Sequence, residues 1–399
     1  MALGRAGTVA ALGSAQTLAW ASSYYLPAML ATSMARDLGV SAPTVFAAFS
    51  VALVVSGLLG PRAGAAIDRW GGRPVLSATS VIFAIGLAAL GFAQSPLALF
   101  AAWVVLGVGM GSGLYEAAFA TLVRLYGKDS RNSITGITLI AGFASTVGWP
   151  LSTFLEAQVG WRHACFAWAA LHLLIGLPLN LMLPKATAPE NPTAQAPAAS
   201  IASDGPSSLK AVLALSFVFA TTMFIATAMA AHLPRLLQAA GVSLAAAVFV
   251  GALIGPAQVG ARLLEFGFLR KVHPLIAARI ATALHPLGVA IFVAFGAPAA
   301  AAFGILHGAG NGMLTIAKGT LPLYIFGPHG YGHRQGLLML PARFTQALSP
   351  WLFGVALDRW GAGALAVSAA VGTLAFLTLF TLSIGARQGG ESQATPARP

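Results

Sequence analysis

Residues 60–76 read Gly60-Pro61-Arg62-Ala63-Gly64-Ala65-Ala66-Ile67-Asp68-Arg69-Trp70-Gly71-Gly72-Arg73-Pro74-Val75-Leu76. Glycine, proline and charge crowd into this stretch, while the residues on either side are uncharged and apolar. Crossing the hydrocarbon of a bilayer takes about 20 apolar residues in a helix. The runs 42–61 and 74–94 therefore read as two spans, and the charged stretch between them as a tight turn at the membrane surface. The same scan, carried outward, predicts further spans near 8–35, 98–125, 133–157, 161–183, 211–232, 244–264, 274–296, 299–325, 336–357 and 364–385. Arg5 ahead of the first run resembles the start of a signal peptide. That run exceeds a signal core and more spans follow, so it reads as an uncleaved first helix.

Composition agrees. The 399 residues are 57% hydrophobic and 8% charged, with a mean hydropathy of +0.81. A water-soluble domain covers itself with far more charge. The expected architecture is an all-α membrane protein of twelve transmembrane helices. The Ala-, Pro-, Ser- and Thr-rich stretch 185–209 reads as a linker. It divides an N-terminal bundle (1–184) from a C-terminal one (210–386), and a polar tail (387–399) follows. The lone Cys165 rules out an intramolecular disulfide and a zinc cluster, and no cofactor or metal is expected.

The net charge of +12 would fit a nucleic-acid binder if the basic residues formed one patch. They do not. With the N-terminus inside, Arg5, Arg62, Arg69, Arg73, Arg124, Lys128, Arg131, Lys185, Lys210, Arg262, Arg270, Lys271, Arg334, Arg387 and Arg398 fall on the cytoplasmic side. Arg36, Arg162, Arg235 and Arg359 fall on the other. This asymmetry is what the positive-inside rule demands, so topology and anionic lipid explain the charge. Both termini are expected in the cytoplasm, and the Ala-, Gly- and Arg-rich composition points to a bacterial inner membrane.

The chain also repeats itself. Leu26-Pro27, Gly39-Val40-Ser41, Val45-Phe46 and Gly60-Pro61 recur in order as Leu233-Pro234, Gly241-Val242-Ser243, Val248-Phe249 and Gly255-Pro256. Pro74 matches Pro274, Gly109-x-Gly111-x-Gly113 matches Gly308-x-Gly310-x-Gly312, and Gly136 and Pro150 match Gly336 and Pro350. Gly160-Trp161-Arg162 has a weaker echo in Asp358-Arg359-Trp360-Gly361. Such ordered matches imply two pseudo-symmetric six-helix halves, a transporter solution in which the site lies at the midplane between them. The Gly-x-Gly runs follow no strand and open no helix, so they are no nucleotide fingerprint. They let helix backbones approach.

With the spans and the repeat in place, Gly60, Gly64, Asp68, Arg69, Gly71 and Arg73 resemble the Gly-x-x-x-Asp-Arg-x-Gly-Arg-Arg gate motif of the major facilitator superfamily. Gly148-Trp149-Pro150 and Gly160-Trp161-Arg162 also resemble that superfamily's fifth helix and the turn after it. The resemblance covers essentially the whole chain. It implies a secondary transporter whose first, fourth, seventh and tenth spans line a central cavity, and in which Asp68 pairs with arginine or caps a neighbouring helix start. There are departures. Trp103 stands where proton-coupled drug antiporters of the superfamily carry an arginine, and the second copy of the gate motif has no Asp-Arg pair. Both features disfavour a proton-driven multidrug exporter.

Charge inside a span is costly and marks a candidate site. Glu116 in span four and Lys318 in span ten fall at similar depth, where opposite charges can face each other. Lys318 and Arg343 can bind an anionic group such as a carboxylate, or pair with Glu116 and cap carbonyls. Glu116 reads as the partner of a gate cation, with a protonatable coupling site as the alternative, and Arg279 is shallow enough to snorkel. Trp20, Tyr24 and Tyr25 offer a stacking wall, with an interfacial aromatic belt as the alternative. Asn311 and Gln346 offer hydrogen bonds to substrate or between helices. His172, His285 and His307 lack metal-ligand spacing and read as packed helix residues, with His307 a candidate cavity residue.

No His-Glu-x-x-His, Gly-x-Ser-x-Gly or phosphate-loop pattern occurs, which argues against an enzyme. The leading expectation is a monomeric transporter of a small organic solute, with an organic anion favoured. The alternatives are a proton-coupled exporter and a non-transporting receptor or scaffold on this fold. The bilayer and a small molecule are the expected partners, with a coupling proton as a further candidate.

Overall fold

A computed structural model describes residues 3–186, 206–268 and 272–382. Most of the expected linker, Arg270, Lys271, Arg387 and Arg398 lie outside the described residues. The described chain is helical, with no strand among its residues.

The first rod is α1 (Arg5–Ser22) and α2 (Leu26–Leu38), interrupted at residues 23–25 where Pro27 starts the second piece. Two unbroken helices follow, α3 (Ala42–Trp70) and α4 (Gly72–Gly91). The fourth rod is α5 (Pro96–Gly113) and α6 (Tyr115–Tyr126), separated by the extended Leu114. The fifth joins α7 (Arg131–Ala141) to the first part of α8 (Ala144–Leu171). Gly160 splits α8 with a φ of 79°, a left-handed angle that glycine adopts without penalty. From there the chain returns as the sixth rod, through a π turn at His172–Gly176 into α9 (Leu177–Leu181). The second half is simpler: α10 (Pro206–Ala239), α11 (Leu244–Gly267), α12 (Pro274–Phe295), α13 (Ala300–Phe326), α14 (Tyr331–Trp360) and α15 (Ala364–Thr378).

Grouped this way, the helices form twelve rods in two six-rod bundles. Among the described residues, seven continuous stretches are long and apolar enough to cross a membrane, including Pro96–Leu181 and Tyr331–Thr381, which each run through more than one rod. Large apolar side chains such as Leu97, Phe92, Val293 and Phe295 face outward, as lipid allows and water does not. The end of the molecule where α3 turns into α4 is called the gate end below.

Packing supports the internal repeat and corrects its register. A Cβ on Gly107 or Gly111 of α5 would sit 2.7 Å from the Ala52 or Ser56 carbonyl of α3. On Gly308 or Gly312 of α13 it would sit 2.7 or 2.5 Å from the Ile254 or Gln258 carbonyl of α11. Gly107, Gly109 and Gly111 are therefore the counterparts of Gly308, Gly310 and Gly312, two residues from the match drawn from sequence. On the same register Gly60 corresponds to Arg262, not Gly255. The four evenly spaced glycines of 107–113 made both alignments fit equally well on paper.

Candidate functional site

The break at Leu114 frees the first turn of α6, and Glu116 occupies it, where a carboxylate is favoured by the helix dipole. Facing it across the two bundles is Arg343 of α14. Its Nη2 donates to both carboxylate oxygens at 3.0 Å, and the guanidinium side chain is only 4% exposed. Nη1 of Arg343 donates to Gln346 Oε1 at 3.0 Å, and Gln346 Nε2 donates to the Tyr24 hydroxyl at 2.8 Å. Glu116, Arg343, Gln346 and Tyr24 thus form one hydrogen-bonded chain across the interface. Of the two cations expected near Glu116, Arg343 makes the ion pair and Lys318 lies close to the same carboxylate.

The interruption between α1 and α2 turns an aromatic group into the same region. Trp20 packs on Tyr24, Tyr25 and Tyr115 with ring centroids 5.1, 6.2 and 4.9 Å apart, and Tyr25 continues to Trp149. The indole nitrogen of Trp20 is buried and has no hydrogen-bond partner. Lys318 is the odd member. Its ammonium donates to the Met223 sulfur at 3.0 Å, a weak acceptor for a charged donor. Around it lie Glu116, Arg343 and Arg262. Arg262 is in turn close to Glu265, so three cations face two carboxylates.

Arg262 escaped the sequence reading, which placed it in a cytoplasmic segment. It is in fact 5% exposed within α11. It donates to the Thr138 carbonyl of α7 across the interface at 3.2 Å, and to the Gly312 carbonyl at 3.4 Å. Glu265, one turn further along, is also buried and went unnoticed. Both were hidden by lying near the end of a span, where charge is ordinarily a topology signal.

Not every candidate joins this centre. His307 and Asn311 face a separate small cavity inside the C-terminal bundle. Arg279 caps the end of the last rod, donating to the Leu379 and Leu382 carbonyls.

The gate motif is closed around a helix start. Helix α14 begins at Tyr331, five residues earlier than expected, so Gly332 and His333 present free backbone N–H groups. Both donate to the Asp68 carboxylate at 2.9 Å, and His333 Nδ1 donates to the Pro61 carbonyl at 3.0 Å. The backbones touch: a Cβ on Gly64 would lie 1.9 Å from the Gly332 carbonyl oxygen. Arg69 stacks beside Trp70; it and Arg73 take no part in the latch. Among the described residues, hydrogen bonds between the bundles run from Ser50, which donates to the Ala347 carbonyl at 3.4 Å, to the gate end, where Arg131 donates to the Val272 carbonyl.

Comparison with known proteins places this geometry. The family model of the Major Facilitator Superfamily matches residues 12–314. An uncharacterized 38 kDa protein from the 23S RNA operon of Thermoproteus tenax is 27% identical over 93% of this chain and 92% of its own. Monocarboxylate transporter 11 of Mus musculus is 30% identical over 36% of this chain and 35% of its own. Among solved structures, the human organic anion transporter MFSD10 (TETRAN) superposes with a TM-score of 0.70 at 19% identity, covering 94% of this chain and 99% of that one. The proton:xylose symporter XylE, bound to 6-bromo-6-deoxy-D-glucose, gives 0.73 at 15% identity and 95% coverage of each. The chain belongs to the Major Facilitator Superfamily.

Proposed function

We propose that this transporter-family chain moves a small organic anion across the cytoplasmic membrane by alternating access, with Lys318 taking the anionic group. One observation carries the reading. Lys318 sits between the bundles with a thioether as its recorded partner, among an excess of cations. An ammonium in a poorly solvated interior needs a counter-charge, and an arriving carboxylate supplies it. The unpartnered Trp20 indole N–H adds a donor, and the rings around it add a face for an apolar or aromatic body. Two similar proteins, a monocarboxylate transporter and an organic anion transporter, point the same way. Glu116 serves to hold Arg343, which leaves Lys318 as the cation free for substrate.

The gate end is closed by Asp68 and Arg262. With the gate end in the cytoplasm, as the basic residues indicate, the cytoplasmic side is the closed one. The test is thermal stabilisation of purified protein by benzoate and pyruvate, compared with benzamide and pyruvamide. Carboxylates should stabilise and amides should not, and Lys318→Ala should remove the effect while the unliganded protein keeps its melting temperature. Equal stabilisation by amides, or an unchanged shift in Lys318→Ala, would overturn the assignment. Proteoliposome uptake of the stabilising compound then tests transport itself.

A further inference from the structure

The cavity inside the C-terminal bundle holds two buried histidines that the substrate reading does not use. His285 of α12 and His307 of α13 approach Nδ1 to Nδ1 at 3.0 Å. His285 Nε2 contacts the Ser368 hydroxyl of α15 at 3.1 Å, and that hydroxyl also reaches the Leu365 carbonyl at 2.9 Å. The cavity beside them is about 20 Å³ and is lined in part by Thr222, Thr282, His285, His307 and Asn311. That is room for about one water molecule, with polar partners to hold it.

Counting protons on this chain fixes what it can do. The Ser368 hydroxyl has one hydrogen, and a carbonyl can only accept. When that hydrogen goes to Leu365, His285 Nε2 must donate to Ser368, which leaves its Nδ1 bare. His307 Nδ1 then donates to His285, and His307 Nε2 is a bare acceptor. When the hydroxyl instead turns to His285, every bond along the chain reverses and His307 Nε2 carries a hydrogen. In the first arrangement the pair can take one proton, on His307 Nε2, with no contact broken, and the proton between the two Nδ1 atoms can then sit on either ring. A second proton would set two N–H groups against each other at 3.0 Å. The pair therefore holds one extra proton and no more.

We infer that His307, paired with His285, is a single-proton binding site of the C-terminal bundle, reached through the Asn311 cavity. It sits on the same face of α13 as the proposed anion site: residues 307, 311, 314 and 318 follow helical spacing, and eleven residues span roughly 16 Å along the axis. No carboxylate lines the cavity. Of the charged or titratable groups on the surrounding helices, Lys210, His232 and Arg235 lie on α10, Arg262 and Glu265 on α11, Arg279 on α12, Lys318 and Tyr324 on α13; α15 has none. None of these lines the cavity either. A proton there adds positive charge with no protein counter-charge, which favours taking it up together with an anion. This use rests on the organic-anion reading; the proton site itself does not.

The experiment is ¹⁵N NMR of the histidine-labelled full chain in nanodiscs from pH 4 to 9, with His307→Gln and His285→Gln assigning the two rings. One protonation step, shared by the His285–His307 pair, is expected, with His172 staying neutral, and it should vanish in His307→Gln. Ser368→Ala keeps both rings and should move the midpoint of that step. Two separate protonation steps on the pair, titration of neither ring, or a midpoint indifferent to Ser368→Ala would overturn the inference. Because no substrate is added, such a failure is distinguishable from failure of the carboxylate assay.

Discussion

The two bundles are tied at the gate end by latches of opposite sign. The first bundle offers the Asp68 carboxylate to the start of α14, where backbone N–H groups are free. The second offers the Arg262 guanidinium to Thr138 in the last turn of α7, where the carbonyls point outward. Each charge sits at the helix end whose dipole favours it. The surroundings differ more than the charges. At Asp68 the backbones of α3 and α14 are in contact through Gly64 and Gly332. At Arg262 the gap is crossed by a long, adjustable side chain. The first latch is a rigid surface match and the second a tether, so the first should tolerate change far less well.

The largest effect should come from filling the rigid contact. Gly332→Leu places a side chain where a Cβ alone would meet the Gly64 carbonyl oxygen at 2.4 Å, so α3 and α14 must part. Transport should fall to background with expression retained. At the tether, Gly142→Ala meets the flexible tip of Arg262, with the Leu139 and Thr138 carbonyls further off at 3.1 Å, and transport should change less than threefold. Equal losses in the two variants would erase the distinction.

Next comes the ion pair where the two bundles meet. Removing one partner of a shielded pair costs about 3–5 kcal/mol, whereas removing both costs less. Arg343→Gln should therefore lower thermal stability more than the double variant Glu116→Gln/Arg343→Gln. A double variant at least as unstable as the single would show that the pair itself, not the stranded charge, matters. Asp68→Asn keeps the shape but weakens two charge-assisted bonds, a loss of about 1–3 kcal/mol from the closed gate.

The smallest effect concerns the far end, where the halves again mirror each other with reversed charge. Asp37 pairs with Arg162 at 2.9 Å and Arg235 with Asp358 at 2.6 Å. The second pair is 61% exposed on both sides, so breaking it with Asp358→Asn should cost no more than about 1 kcal/mol. Asp37 also accepts from Trp161 Nε1, and Asp37→Asn should cost somewhat more. Melting temperatures of both variants check the order.

Much of this was legible in sequence. Hydropathy is additive along the chain, so the spans and the gate turn could be read from it. The ordered glycines exposed the duplication because close helix approach demands them. The chain alone did not disclose which charges share a level. Glu116 meets Arg343 because Leu114 interrupts the fourth rod and re-aims α6, and an extended leucine leaves no compositional trace. Arg262 read as a topology charge because depth within a span cannot be judged to within one turn. His285 and His307 sit on separate spans, and nothing in their spacing announces that they touch.

The central claim is that Asp68 holding α14 keeps the gate end shut. It is tested most directly by electron-spin distance measurements with labels on exposed positions, after replacing the buried Cys165. One pair is Arg69→Cys with His329→Cys at the gate end, and the other is Arg36→Cys with Gln238→Cys at the far end. In the otherwise unaltered chain the gate pair should give a short, narrow distribution. Asp68→Asn should lengthen it and shorten the far pair. A gate pair already long and broad, or both pairs indifferent to Asp68→Asn, would contradict the account.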